Sequence, residues 1–129
     1  MNNYRENYFV ARNNVFAELN KKYNLIESHK DENRLTLNSS KYSIHLVLYI
    51  PDGVDLIISP INREPAFGNN FMHYLHSKYP ENDIRRDVLK DIYKNSRAKS
   101  SFDNSIEAIE DNFLIMINFI HTYFPDIFS

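Results

Sequence analysis

Residues 42–61, YSIHLVLYIPDGVDLIISPI, carry the clearest structural pattern in the sequence. Aliphatic side chains occur at every second position on both sides of a central Pro-Asp-Gly, which is the period of a β-strand with one buried face. These residues are Ile44, Leu46, Leu48 and Ile50 before the break and Val54, Leu56 and Ile58 after it. The stretch therefore predicts a β-hairpin, and we expect the rest of the chain to pack around it.

Pro51-Asp52-Gly53 predicts the turn of this hairpin. Proline presets φ for a type I turn, and glycine can adopt the left-handed conformation that closes a three-residue loop. The predicted pairs are Ile50 with Val54, Leu48 with Leu56 and Leu46 with Ile58. A slip by one residue would turn the apolar row to the other face, so the pattern specifies the face strongly. The other face is mixed and includes His45; we expect it to be partly exposed or covered only at its centre.

Two strand candidates before the hairpin extend it into a larger sheet. They lie within residues 23–29 and at residues 34–38, with Asp31-Glu32-Asn33 as the turn between them. A two-residue connection at Ser39-Ser40 would set Leu35 opposite Ile44. Residues 24–60 therefore predict an antiparallel meander of three or four strands in sequential order.

A helix is predicted over residues 3–23, before the sheet. Its apolar residues lie in two adjacent rows and together form the wide apolar face of a helix that packs on a core. One row is Phe9, Phe16 and Tyr23, and the other is Tyr8, Val15 and Leu19.

Further helices are predicted after the sheet, over about residues 71–78, 83–95 and 102–124. In the last and longest, apolar residues recur in steps of four and three, and Ile115 lies on the side opposite this stripe. Ser100 with Asp103 would cap its start, and Pro125 would end it. The fold class is α+β in a single domain, residues 1–129: an N-terminal helix, an antiparallel β-meander of three to four strands, then two to three C-terminal helices packed on the sheet.

The composition limits the classes of protein to which the chain can belong. The 129 residues contain no cysteine, which excludes disulfides and thiolate metal sites. An apolar signal core and a run long enough for a membrane span are both missing, so we expect a soluble, cytoplasmic protein. Residues 81–99 hold six basic and four acidic side chains. That balance is too small for a specific nucleic-acid-binding module, and we expect no nucleic-acid partner.

The C-terminal part of the chain carries the clearest charge feature. Residues 1–99 hold all 15 basic residues and 12 acidic ones, whereas residues 100–129 hold five acidic residues and neither lysine nor arginine. Four of these acids form what we call the acidic flank of the last helix: Asp103, Glu107, Glu110 and Asp111. They are the candidate partner-binding residues, because charge complementarity speeds encounter with a basic protein. The structural alternative is that acids in the first helical turns offset the helix dipole.

The sequence carries no catalytic signature, and we predict neither a cofactor nor a metal. His73 and His76 could share one face of a helix and bind zinc, but no third ligand is placed beside them. His45 is expected to be a hydrogen-bonded histidine of the sheet, and His121 to complement the dipole at the end of the last helix. We therefore predict that the protein is not an enzyme.

The chain length, the missing catalytic constellation, the acidic helix and the helix–meander–helix layout together resemble the small cytoplasmic immunity proteins of bacterial polymorphic toxin systems, including contact-dependent growth inhibition. The resemblance is one of size and layout over the whole chain, and it transfers no individual residue. It implies a protein that binds a cognate toxin domain, often a nuclease, and blocks its active site or substrate groove without doing chemistry.

Two other functions stay open from the sequence. One is a small metal-dependent hydrolase built on His73 and His76. The other is an adaptor that forms a homodimer through the apolar outer side of the last helix, around Ile115.

Overall fold

The computed structural model describes residues 4–49, 53–64, 77, 84–99 and 103–128. The elements in chain order are α1 (Tyr4–Lys22), β1 (Ile26–Lys30), β2 (Arg34–Asn38), β3 (Tyr42–Tyr49), β4 (Gly53–Pro60), α2 (Ile84–Asn95), α3 (Ile106–Tyr123) and a 3-10 turn (Pro125–Phe128). The predicted α+β class is confirmed. Two helices follow the sheet within the described ranges, and the helix predicted over 71–78 falls on residues of which only Ser77 is described.

The four strands form one antiparallel sheet in the order β1-β2-β3-β4, which confirms the meander. The predicted register of the hairpin is wrong by two residues. The pairs are Leu48 with Val54, Leu46 with Leu56 and Ile44 with Ile58, and Gly53 pairs with Tyr49 instead of closing the turn. A shift of two residues keeps every aliphatic side chain on the same face, so the apolar pattern cannot distinguish the two registers.

The connection between β2 and β3 is displaced by one residue from its predicted position. Ser39 N donates to the Tyr42 carbonyl at 2.9 Å, and Tyr42 N donates to Ser39 Oγ at 3.3 Å. The two-residue turn is therefore Ser40-Lys41, and Leu35 lies opposite Leu46 instead of Ile44. The hydroxyl of Ser39 accounts for the displacement, because it satisfies the backbone on the far side of the turn.

The core lies between the sheet and the helices α1 and α3. Its deepest helical residues are Tyr8, Ala11, Val15 and Leu19 of α1 and Ile109, Phe113, Ile117 and Ile120 of α3, all at most 5% exposed. In α1 the row of Tyr8, Val15 and Leu19 faces the core, whereas the predicted companion row of Phe9, Phe16 and Tyr23 is only partly buried. Helix α3 contacts strand β4, and α2 packs against α3. The prediction that the C-terminal helices pack on the sheet is therefore confirmed for α3.

The last helix begins later than its sequence indicated. Its N-cap is Ser105, whose side chain accepts a hydrogen bond from Ala108 N, and the first helical residue is Ile106 instead of Phe102. The reason is that Asp103 is bonded elsewhere: its Oδ1 accepts from Ser105 N at 3.0 Å and its Oδ2 from Lys99 N at 2.8 Å. Asp103 thus orders the connection before the helix. The helix ends at Tyr123, ahead of Pro125 as predicted.

The mixed face of the sheet is more buried than its composition indicated. Six of its residues are at most 7% exposed: Thr36, Ser43, His45, Val47, Ile57 and Ser59. Thr36, His45 and Ser59 are joined by hydrogen bonds, and Ser43 Oγ donates to Asn38 Oδ1 at 2.6 Å. Such partners are the condition under which polar side chains are buried without a large penalty.

A buried arginine fastens α1 to the sheet, a feature that helical periodicity could not reveal. Arg12 is only 3% exposed, and its Nη1 donates to the Asp31 carbonyl at 2.6 Å. It also lies 3.3 Å from the Tyr8 hydroxyl, which itself donates to the Leu46 carbonyl at 2.6 Å. Burial raises the pKa of Tyr8 to about 12, so this hydroxyl keeps its proton at physiological pH.

Truncating this arginine should destabilise the protein noticeably. We expect Arg12→Ala to lower the free energy of unfolding by about 2 kcal/mol, because it removes charge-assisted hydrogen bonds in a buried setting. Tyr8→Phe, which removes only the hydroxyl, should cost about 1 kcal/mol. Urea denaturation of the two variants measures both values, and an Arg12→Ala protein as stable as the wild type would show that the buried guanidinium contributes nothing.

Candidate functional site: a groove along the last helix

The outer face of α3 forms the floor of an open groove, with α1 on one side and α2 on the other. A cleft of about 470 Å³ occupies its middle. The cleft is lined by Glu18, Leu19 and Lys22 of α1 and by Tyr23 directly after it, by Asp91 and Asn95 of α2, and by Asp111, Leu114, Ile115, Ile117, Asn118 and His121 of α3. The middle cleft and the two smaller clefts that adjoin it together form what we call the α3 groove.

Two smaller clefts adjoin the middle one and lengthen the groove. A cleft of about 330 Å³ lies between α1 and α3 and shares Glu18 and Leu114 with it. A cleft of about 450 Å³ lies between α2 and α3 and shares Asp91, Asn95 and Asn118. The groove thus follows α3 from Glu110 to Tyr123, which at about 1.5 Å per helical residue is roughly 20 Å.

The floor of the α3 groove is apolar at its centre. Leu114 and Ile115 are half-buried there, in a helix whose other side is inserted in the core. Ile115 lies opposite the core stripe, as its spacing predicted. The flanking helices leave it at the bottom of a cleft, so a partner has to enter the groove to cover this side chain.

One arginine holds the best-ordered carboxylate of the acidic flank. Arg97 donates to Asp111 three times: from its backbone N at 2.7 Å, from Nε at 2.9 Å and from Nη2 at 2.9 Å. Partial burial raises the pKa of Asp111, but the hydrogen bonds and the charge of Arg97 outweigh this and leave it lowered. Asp111 is therefore an ionised, pre-positioned group at the edge of the groove.

The other three acids of the flank have different surroundings. Glu110 accepts from Asn14 Nδ2 at 2.6 Å and lies 3.5 Å from Arg97 Nη2. Asp103 is bonded by the backbone N–H groups of Lys99 and Ser105, which lower its pKa. Glu107 is exposed. The structure thus places Glu110 and Asp111 in the walls and floor of the α3 groove, and Asp103 in the connection before α3.

Residues from other elements complete the charged rim, and sequence reasoning missed them. Glu18 comes from α1 and Asp91 from α2, where Asn95 Nδ2 donates to its Oδ1. Arg97, which neutralises part of the flank, comes from the connection between α2 and α3. Nothing local in the sequence marks these three side chains, because only the packing of the helices brings them together.

An aromatic pair lies at the C-terminal end of the middle cleft. The Tyr23 hydroxyl is 2.8 Å from His121 Nδ1, and the two ring centroids are 5.5 Å apart. Phe128 stacks on Tyr23 at 4.7 Å, so the final 3-10 turn covers this pair from the far side. His121 is in the last turn of α3 as predicted, and its bond to Tyr23 joins α3 to the end of α1.

A second polar cluster lies on the mixed face of the sheet, around His45. Ser59 Oγ donates to the Arg63 carbonyl at 3.0 Å, so it accepts from His45 Nε2 at 2.8 Å. His45 Nδ1 then accepts from the Thr36 hydroxyl at 2.7 Å. The prediction of a hydrogen-bonded sheet histidine is confirmed. Burial, reinforced by the charge of Arg34, lowers the pKa of His45 to about 4, so the ring is neutral at physiological pH.

His73 and His76, the candidate zinc ligands, lie outside the described residues. Within the described ranges, no cluster of three or more His, Cys, Asp or Glu side chains could hold a metal ion.

The helices in those same ranges include none that is both long and apolar enough to cross a bilayer. Comparisons of the chain with protein-family models, with curated proteins and with solved structures gave no match.

Proposed function

We propose that the protein is a non-catalytic binding protein whose α3 groove and acidic flank receive a basic region of a protein partner. The observation that carries the proposal is the anatomy of the groove. Leu114 and Ile115 form an apolar floor. The charged side chains around it are the carboxylates of Glu18, Asp91 and Asp111 and the ammonium group of Lys22. An apolar centre within a charged rim is the usual arrangement of a protein–protein interface.

The charge of this surface favours a basic partner. Residues 97–111 carry Arg97 and Lys99 against the four acids of the acidic flank, and no further lysine or arginine follows to the end of the chain. The acidic flank therefore keeps a net negative charge after Arg97 has paired with Asp111. Such a field steers a positively charged protein towards the groove and raises its association rate.

The specific role that we propose is neutralisation of a bacterial toxin domain in the cytoplasm. The resemblance to immunity proteins supports this role at the level of size and layout. In such a complex the protein would cover a basic, substrate-binding surface of the toxin, for example that of a nuclease, and would keep its substrate out. The fold then serves as a scaffold for recognition and needs no reactive centre of its own.

Co-expression with the proteins encoded by neighbouring genes tests this function. We expect one of them to be toxic alone and to form a stable complex with this protein that restores growth. Intact toxicity of every such protein, together with the lack of a complex in titration calorimetry, would contradict the proposal.

Charge reversal at Glu107 should weaken that complex. This side chain is exposed, so Glu107→Lys should leave the fold unchanged and lower the affinity for the partner by about tenfold, mainly through slower association. Glu27→Lys is the matched control, because Glu27 is also exposed but lies on the edge strand β1. Equal effects of the two substitutions would mean that only the overall charge of the protein matters.

Self-association through the α3 groove is the alternative, because a second copy of the chain could also cover Ile115 at the floor. Sedimentation of the protein alone at increasing concentration distinguishes the two cases. A monomer over the whole range supports a different partner, and a dimer that Ile115→Asp disrupts supports the adaptor.

A further inference from the structure

The shape of the α3 groove limits what can occupy it. It is open, about 20 Å long by the rise of α3, and lined by side chains of three helices. Its floor presents Leu114 and Ile115 in the middle, and Phe119 lies in the cleft towards α2. Elongated grooves of this kind with apolar anchors along a helix receive peptide segments.

The helical backbone of the groove walls favours a helical over an extended conformation of the bound segment. The N–H and C=O groups of α1, α2 and α3 are bonded within their own helices, so the groove offers side chains and hardly any backbone partners. An extended segment would leave its own backbone groups without partners where it is covered. A helix satisfies these groups internally, and about 13 residues of helix match the length of the groove.

The charges of the groove differ between its two ends. At the end near the start of α3, Glu18 and Glu110 line the first cleft and Asp111 lies beside them. At the other end, Lys90 and Lys94 of α2 line the third cleft, where they are balanced by Asp87 and Asp91. One end is therefore acidic and the other is close to neutral.

Arg97 leaves room for a further cation at the acidic end. Its side chain is 57% exposed, and it contacts Asp111 closely but Glu110 only at 3.5 Å. Glu18 on the opposite wall is exposed. Glu110 Oε1 accepts from Asn14, so a basic side chain of a bound segment can pair with Glu18 and with Glu110 Oε2 while Arg97 keeps Asp111.

We propose that the α3 groove binds an amphipathic helix of the partner, with its apolar stripe on Leu114 and Ile115 and its basic residues over Glu18 and Glu110. This inference rests on the proposed function and specifies how the partner is held. The helix completes a layer in which α1, α2 and the bound segment all pack on α3.

Three synthetic 14-residue helical peptides test the proposal by fluorescence anisotropy with the full-length protein. The first has leucines at positions i, i+3, i+4 and i+7 and arginines in one terminal turn. The second carries glutamate in place of each arginine, and the third carries serine in place of each leucine. We expect the first to bind and the other two to bind about tenfold more weakly or worse. Equal binding of all three would overturn the proposal.

Two variants of the protein locate the binding site. Glu18→Lys should weaken the arginine peptide about tenfold and restore binding of the glutamate peptide, which is a reversal that a damaged fold cannot produce. Ile115→Asp should also weaken the arginine peptide, whereas Ile26→Asp, on β1 and 68% exposed in the wild type, should not. An Ile26→Asp effect as large as that of Ile115→Asp, or no reversal with Glu18→Lys, would place the site elsewhere.

Binding of the natural partner to the same two variants separates the occupant of the groove from the binding function as a whole. If the natural partner binds Glu18→Lys and Ile115→Asp as tightly as the wild type, the binding function stands. The proposal that a partner helix occupies the α3 groove is then wrong. Dimerisation of the free protein that Ile115→Asp abolishes would assign the groove to a second copy and overturn the proposed occupant.

Discussion

Replacing Phe113 by alanine should lower the free energy of unfolding by about 3–5 kcal/mol, the range for a fully buried phenylalanine. Phe113 is 0% exposed, and its ring centroid lies 6.3 Å from that of Tyr8 at the contact between α3 and α1. The substitution removes the transfer energy of the ring and leaves a cavity that two helices and a sheet cannot easily close. Urea denaturation followed by circular dichroism measures this loss.

Phe119→Ala is the matched control for that measurement. Phe119 belongs to the same helix but is only partly buried, and its ring stacks on Tyr123 with centroids 6.3 Å apart. The substitution should lower the free energy of unfolding by about 1 kcal/mol, because the Phe119 side chain buries a smaller apolar area than that of Phe113. If the two substitutions cost the same, the core is not centred on the contact between α1, α3 and the sheet.

Acidification should destabilise the protein between about pH 6.5 and pH 4 because of His45. Its pKa is about 4 in the folded protein, compared with 6.5 in an unfolded chain. The unfolded chain therefore binds the proton more readily, so the contribution of His45 is complete above pH 6.5 and is lost as the pH falls towards 4. The full loss is about 3 kcal/mol, which is a large part of the stability of a small domain. Urea midpoints at pH 6.5, 5.5 and 4.5 measure it.

A His45→Asn variant provides the control, because it cannot titrate in this range. The quantity to compare is the change in the free energy of unfolding with pH, not its absolute value. Between pH 6.5 and 4.5 the free energy of unfolding of the variant should stay nearly constant. The carboxylates with lowered pKa values, Asp31, Asp103, Asp111 and Glu64, lose their contributions mainly below about pH 4.5. A slope that is unchanged in the variant would show that another group is responsible.

The apolar pattern of the hairpin determined the buried face correctly and the register incorrectly, for a physical reason. Alternation has a period of two, so any shift by an even number of residues preserves the pairing of aliphatic side chains. The register depends instead on where the turn lies, and Gly53, which was predicted to close it, belongs to β4 and pairs with Tyr49. The same holds for the turn at Ser40-Lys41, where one serine hydroxyl determines the outcome.

Buried polar residues were the least predictable part of the fold. Arg12 occupies a position on α1 that its neighbours make apolar, and a charged residue there carries no signal of burial. It is tolerated because its Nη1 donates to the Asp31 carbonyl, in the turn between β1 and β2, and to the Tyr8 hydroxyl of α1, and because its guanidinium lies over the Tyr8 ring. His45 was placed on the correct strand face, but the depth of its burial depends on packing that alternation within one strand does not encode.

The candidate site was predictable only in the part that one helix contributes. The spacing of the four acids of the acidic flank indicated a common side of one helix. The structure places Glu110 and Asp111 at the α3 groove, whereas Asp103 lies in the connection before the helix. Glu18, Asp91 and Arg97 belong to it because α1 and α2 pack on opposite sides of α3. Such a juxtaposition is a tertiary effect, and a single sequence gives no pairwise information about it.

Methyl NMR of the complex with the natural partner tests most directly whether the outer face of α3 is the binding surface. The methyl groups of Leu114 and Ile115 should shift or broaden on binding, because the partner covers the floor of the α3 groove. Those of Ile26 and Ile61, which are exposed on other parts of the molecule, should stay unchanged. Shifts confined to Ile26 and Ile61, with Leu114 and Ile115 unaffected, would show that the partner does not bind on the outer face of α3.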